Sequence, residues 1–302
     1  MNEPDPNEPI FDPAFLNRLR SLFLQLRSRR QLQRKGSQQT VALGQTRQFK
    51  DHRQYAHGDD YREIDWQLYA RLDRFYIRQF EEIQAFHVHI LLDVSASMTH
   101  PFRAKRVTAL RLAAAMAYLG LIQQHQVSLL TMSRRVKQEL PPIKGQGHVH
   151  HLLSHLEQLP FAGVTDLAGG MRSFRPVSNK RGIVVVISDL FGGRTEAAME
   201  AMSHAGHWPA ETHVIQVLHP HEIRPDLAGE LEVVDTETQA KRRLWLGRRD
   251  GERYEQRVRQ FIDDIGQSCA RRGMNHVAWT TDEPFEPMLL KLLSRAGALG
   301  GG

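Results

Sequence analysis

Between residues 13 and 34 the apolar side chains Phe15, Leu16, Leu19, Leu22, Phe23 and Leu26 recur at helical spacing, with arginines on the other faces. The pattern predicts a basic amphipathic helix. Packing on its own domain is the favoured role, with docking on a membrane surface or a partner as the alternative. The stretch KGSQQ ends the periodicity, and residues 40–50 and 75–82 then read as short strands around a polar connector. From residue 87 the period changes. HVHILLDVS predicts a buried strand, residues 103–124 a long helix rich in alanine and leucine, and HQVSLLTMS a second strand with RVKQELPPI as its neighbour. A histidine-rich helix over 148–158 and a shorter one after GVTD lead to RGIVVVISD, the most hydrophobic strand. A helix in TEAAMEAMSHAG, the strand ETHVIQVLH, a helix over 251–272, the strand NHVAWTT and a helix over 286–295 continue the alternation.

Strand and helix in repeated alternation favour an α/β fold, a mostly parallel sheet with helices on both faces. Residues 223–247 interrupt it with a β-hairpin pattern, TETQ being the turn. The expected organisation is a tip and amphipathic helix over 1–35, a β element and polar segment over 36–85, and one α/β domain over 86–295. The domain carries the hairpin insertion at 223–247, and residues 296–302 form a flexible tail. The strands before residue 82 and the inserted hairpin are expected to combine into one small β element.

Composition narrows the function classes. The single cysteine, Cys269, excludes an internal disulfide framework and any multi-cysteine metal site, and its helical context predicts a buried small hydrophobe. The acidic, proline-rich start has no signal-peptide pattern and the apolar runs are too short to cross a bilayer, so a cytoplasmic protein is expected. A formal net charge of +6 points only diffusely to an anionic partner, because the arginines are scattered and interleaved with acids. No nucleic-acid partner is expected. His151 and His155 stand one helical turn apart with His148 nearby, but no glutamate lies between the pair, so exposed surface histidines are favoured over a zinc site. No P-loop is present.

The chemistry concentrates in DVSAS. Asp93, Ser95 and Ser97 follow the first buried strand, Thr165 sits in the loop FAGVTDL, and Asp189 ends another strand. In open α/β sheets, ligand sites gather beyond the carboxyl ends of the strands. Carboxylate and hydroxyl oxygens without nitrogen or sulfur suit a hard ion, magnesium best, with manganese or calcium as alternatives. An incomplete protein shell would leave a position for an external carboxylate. The competing readings are helix capping by the serines and a nucleophilic serine, which lacks the flanking glycines of a G-x-S-x-G elbow. These residues resemble the metal-ion-dependent adhesion site of von Willebrand factor A domains, D-x-S-x-S followed by a distant Thr and Asp. The resemblance implies ligation by the hydroxyls of Ser95, Ser97 and Thr165, with Asp93 and Asp189 acting directly or through water.

The segment before the domain is dense in polar and aromatic residues. Gly58, Asp59 and Asp60 predict a tight turn whose carboxylates accept backbone N–H bonds. Arg62 is suited to a bidentate carboxylate pair. Asp65 is placed to cap a helix, with Trp66 and Tyr69 packing inward. A structural clamp is the favoured role and a binding surface the alternative. The order Arg53, Tyr55, Gly58, Asp59, Asp60, Arg62, Ile64, Asp65, Trp66, then Ala70 and Arg71, then DVSASM, resembles the family fifty-eight domain of unknown function. HPHEIRPDLAGELEVVDTET (219–238) and TTDEPF (280–285) extend the likeness. The resemblance implies a non-enzymatic, metal-dependent adaptor or chaperone-like partner of a MoxR-type AAA+ ATPase, acting in assembly or maturation of other complexes. A metal-dependent hydrolase or phosphotransferase at the same edge is the alternative.

Overall fold

The computed structural model describes residues 9–33, 47–82, 86–176, 182–192, 195–225, 229–234 and 241–295. The TETQ turn, residues 40–46 and the tail over 296–302 lie outside them. The chain divides into two compact units, one of Met1–Leu24 with Phe86–Gly302 and one of Gln25–Ala85.

In chain order the elements are α1 (Pro13–Gln33), β1 (Arg47–Gln54), α2 (Trp66–Leu72), β2 (Tyr76–Glu82), β3 (His87–Asp93), α3 (Arg103–Ile122), β4 (Gln126–Met132), β5 (Val136–Lys144), α4 (Val149–Gln158) and α5 (Leu167–Ser173). There follow β6 (Gly182–Ser188), α6 (Thr195–Ala205), β7 (Ala210–Leu218), α7 (Pro220–Ile223), β8 (Gly229–Val234), β9 (Lys241–Leu246), α8 (Arg248–Ala270), β10 (Asn275–Thr280) and α9 (Phe285–Arg295).

In the larger unit six strands form one sheet in the order β10-β7-β6-β3-β4-β5. All neighbours are parallel except β5, which returns antiparallel to β4. The chain winds outward from β3 to β4, then crosses back to lay β6 on the other side of β3. Beyond β3 and β6 the strand order therefore reverses, which is where an open α/β sheet makes its crevice. Both strands are buried along their whole length, as their unbroken apolar runs require.

One sheet face packs on α5, α6 and α8 through Leu91, Val184, Val186, Met171, Met202, Ile265 and Cys269. Cys269 is fully buried with its Sγ 3.5 Å from Met202 Sδ, and burial pushes the thiol up to about 11. On the other face α3 approaches so closely that a Cβ at Gly120 would lie 2.7 Å from Val127 Cγ2. The valine is β-branched and fully buried, so it cannot step aside. Gly120→Ala is expected to lower stability by about 1–3 kcal/mol in urea unfolding; an unchanged midpoint would show the helix free to shift.

The first half of α1 is part of the larger unit. Phe15, Leu19 and Leu22 are buried, Phe15 meets the Phe285 ring edge-on at 5.6 Å, and Arg18 pairs with Glu286 at 3.0 Å. Through Phe15, Leu19 and Leu22 the apolar stripe thus packs on its own domain. No helix among the described residues is long and apolar enough to cross a membrane.

The two hairpins share no sheet among the described residues. β1 and β2 form one antiparallel pair, β8 and β9 another, and the two are separate sheets. Alternation of apolar residues marks a strand but carries no address for its partner, and each hairpin satisfies its inner backbone groups alone.

Two histidines are held neutral by burial. His89 in β3 is stacked on His87 at 4.0 Å and meets Phe174 edge-on, with both of its ring nitrogens lacking a hydrogen-bond partner among the described residues. Burial, then the charge of His87, pulls it down to about 4, and burial brings His276 in β10 to about 4. Both folded values lie below the ordinary value near 6.5. Their contribution is complete above about pH 6.5 and is lost as the pH falls to about 4. The urea midpoint should fall across that window and level off below it, with a shallower fall in His89→Phe.

Candidate metal centre

β3 ends in Asp93, and the chain turns sharply through a short 3-10 segment, Ala96–Met98, before α3. Ser95 N donates to Asp93 Oδ1 at 2.9 Å, fixing the turn on its own carboxylate. Two backbone bonds hold the FAGVTDL loop against it: Ala162 N donates to Val94 O at 2.8 Å and Ala96 N to Gly163 O at 3.0 Å. The loop thereby delivers Thr165, whose Oγ1 donates to Asp93 Oδ1 at 2.9 Å. Ser95 Oγ and Ser97 Oγ lie 3.0 Å apart. Asp93, Ser95, Ser97 and Thr165 therefore form one continuous cluster, Ser97 being the most exposed of them.

Asp189 follows β6 at the same edge. Its Oδ1 accepts from Phe191 N at 2.9 Å, and Gln216 Nε2 donates to its carbonyl at 3.1 Å. Asp93 and Asp189 are each 1% exposed. Burial pushes the Asp93 carboxyl up, and the negative charge of Asp189 pushes it the same way. The structure thus brings together the five predicted residues.

Three participants were not anticipated. Ser188 Oγ donates to Asp93 Oδ2 at 2.6 Å, so both Asp93 oxygens are held. Lys105, in the first turn of α3, is fully buried and bonds Asp189 Oδ2 and Glu222 Oε1, each at 2.7 Å. Glu222 in α7 anchors itself by accepting from His219 N at 2.8 Å, and Phe102 stacks on His219 at 3.8 Å. Burial alone would depress the Lys105 ammonium, but the charges of Asp189 and then Glu222 reverse that and raise it. Glu222 is pushed up by its burial, against the pull of Lys105. A signal for Lys105 does exist in the sequence: positions 105, 109, 112 and 116 form one buried stripe of α3, and lysine stands where an apolar residue is the rule.

The donor set fits a hard divalent cation. Its donors are all oxygens. Charge agrees: the Lys105 ammonium bonds buried Asp189 and part-buried Glu222, while the buried Asp93 has only neutral hydrogen-bond partners, so carboxylates exceed ammonium and a divalent ion would offset the excess. The histidines of α4 do not converge. His148 and His151 are exposed, while His155 lies 3.6 Å from Glu139.

In the smaller unit, Gly58 takes φ +107°, Ala56 N donates to Asp59 Oδ2 at 2.8 Å, and Arg62 N donates to Asp60 Oδ1 at 3.0 Å. Gln67 N and Leu68 N donate to Asp65 Oδ1, both at 3.0 Å, and His52 Nε2 lies 3.0 Å from Asp65 Oδ2. The histidine contact first, then the Leu68 amide, holds the Asp65 carboxyl below its usual range. Two expectations are corrected. Arg62 is exposed and has no carboxylate pair among the described residues, and it is Arg53 that pairs with a carboxylate of the turn, Asp59, at 2.8 Å. Trp66 is 59% exposed and not packed inward. A seven-residue helix on a two-stranded ribbon has no second layer to cover it. Instead Trp66 lies edge-on to Tyr69 and Phe75, which stack at 4.5 Å. Arg71 is exposed in the last turn of α2, and Tyr55 lies edge-on to Phe75 at 6.2 Å.

Among known proteins the chain is similar to the uncharacterized protein Rv1480 of Mycobacterium tuberculosis, 24% identical over 299 residues that span 97% of this chain and 93% of that one. The uncharacterized protein Mb1516 of Mycobacterium bovis matches to the same extent, 24% over 299 residues. Solved structures it resembles include the conserved hypothetical protein BatB from Bacteroides thetaiotaomicron, with TM-score 0.41, 16% identity, and 70% of this chain against 99% of that chain. Another is the von Willebrand factor type A structure from Catenulispora acidiphila, with TM-score 0.44, 9% identity, and 72% against 43%. The family model described as "Protein of unknown function DUF58" matches residues 51–261. That span is more than half of the chain and holds both the GDDYREIDW turn and all five residues of the DVSAS edge; the protein belongs to the DUF58 family.

Proposed function

We propose that this protein is a divalent-cation-dependent protein-interaction module, serving a MoxR-type AAA+ ATPase as an adaptor in the assembly or maturation of other complexes in the cytoplasm. The observation that carries the reading is the convergence of Asp93, Ser95, Ser97 and Thr165 into one oxygen cluster beside Asp189, where the strand order reverses. Ser95, Ser97 and Thr165 would hold the ion by their hydroxyls, and Asp93 and Asp189 directly or through water. Magnesium suits such a shell best, manganese or calcium being the alternatives. The ion, when bound, supplies a coordination position for a carboxylate of the partner.

The chain's own residues prepare that position. Ser188 and the Ser95 amide fix both oxygens of Asp93, and the 162–163 backbone holds Thr165 in reach. The test is capture of a purified MoxR-type ATPase on the immobilised protein. Capture is expected in magnesium and not in EDTA, and not with Asp93→Ala in either. Equal capture in all conditions would end the ion-dependent reading. Metal-dependent turnover of phosphoesters or peptides, lost in Asp189→Ala, would replace it with a hydrolase.

A further inference from the structure

Lys105 bonds a carboxylate that the ion would also claim. Its ammonium sits 2.7 Å from Asp189 Oδ2, and the other Asp189 oxygen is taken by Phe191 N at 2.9 Å. Both oxygens of Asp189 are thus engaged by this chain. Asp93 differs: its partners are hydroxyls and one amide, all neutral. Hydroxyl donors can rotate and offer their oxygens to a cation, whereas an ammonium cannot. Glu222 is a second seat for the same ammonium, also at 2.7 Å, and the His219 amide holds that seat in place.

We infer that Lys105 is the residue that sets the divalent-ion affinity of this edge, by competing with the ion for Asp189 and retreating onto Glu222 when the ion takes that carboxylate. The inference rests on the ion-binding reading above. The geometry accounts for the otherwise costly arrangement of two buried carboxylates and a buried lysine with part-buried Glu222 beside them. Without an ion the lysine keeps Asp189 satisfied, and with one Glu222 keeps the lysine satisfied. Binding then carries an internal displacement, which weakens it and restricts it to ions that interact with carboxylate strongly enough.

Two substitutions separate this from a plain effect of net charge. Lys105→Met/Glu222→Gln removes one positive and one negative charge, so the net charge of the cluster stays that of the wild type while Asp189 loses its competitor. Glu222→Gln alone removes the retreat and leaves the ammonium fixed on Asp189. Full-length wild type, both variants and Asp93→Ala are titrated with magnesium and with manganese by calorimetry. Free manganese is followed by electron paramagnetic resonance, and folding of each protein by circular dichroism. Lys105→Gln/Glu222→Gln, which keeps hydrogen-bonding capacity at the same charge, stands in should the methionine variant not fold.

The double variant is expected to bind at least about tenfold more tightly than wild type, and Glu222→Gln at least about threefold more weakly. Binding by the double variant alone, with none by wild type, supports the inference in its strongest form. Wild-type binding with equal or weaker binding by the double variant overturns the inference and leaves the ion-binding reading standing. No binding by either overturns both.

Discussion

Lys105→Ala is expected to destabilise the ion-free protein by about 3–5 kcal/mol at pH 7, the range for removing one partner of a buried ion pair. The lysine side chain is fully buried, and the side chains of Asp189 and Glu222 are 2% and 15% exposed, so little water stands ready to replace the ammonium. Two carboxylates would be left facing each other in a place that already pushes Glu222 up. The defect should shrink as the pH is lowered, because Glu222, already pushed up by burial, no longer needs the ammonium once protonated. It should change little with salt, which screens exposed pairs far more than buried ones. Urea unfolding at several pH values and salt concentrations measures all three features. A loss under about 1 kcal/mol would mean that solvent reaches the pair and that the network is ornamental.

Asp93→Ala is expected to abolish ion-conferred stabilisation. At a free ion concentration of a hundred times the dissociation constant, binding adds about 2.7 kcal/mol to the wild type, and the variant should gain none. Asp93 is the carboxylate whose two oxygens are shared by the Ser95 amide, Thr165 and Ser188, so its loss also leaves three donors without an acceptor. Against that, the variant removes the repulsion from Asp189 that pushes Asp93 up. Asp93→Asn keeps an oxygen acceptor, and comparing the two variants in EDTA separates lost hydrogen bonds from relieved repulsion. Thermal unfolding with and without magnesium reads out both effects. A wild-type-sized shift in Asp93→Ala would place the ion elsewhere.

The elements were legible to differing degrees, and the differences have physical causes. β3 and β6 are buried on both faces, so their apolar runs stand out whatever surrounds them. The helix caps were legible too, since Asp65 and the Asp59–Asp60 turn bond to amides within three residues. β1 was less so: it spans Arg47–Gln54 and ends in DHRQ, a polar stretch that is extended because β2 pairs with it and not through its own propensity. The exposed Trp66 went the other way, an aromatic read as inward where the small unit has no layer to receive it.

At the candidate site the sequence by itself determined which oxygens lie at or beyond strand ends: Asp93 closes β3, and Ser95, Ser97, Thr165 and Asp189 occupy connecting segments whose places follow from the strand and helix periods. That is a local property, because each period is set by residues a few positions apart. Only the tertiary structure decided what balances them. Lys105 meets Asp189 84 residues away and Glu222 117 residues away in the chain. Such pairings depend on how α3, β6 and α7 are laid over one sheet edge. Burial at that edge turns an ordinary lysine and glutamate into partners whose removal is felt across the whole site, because charge withdrawn from water must be answered by charge nearby.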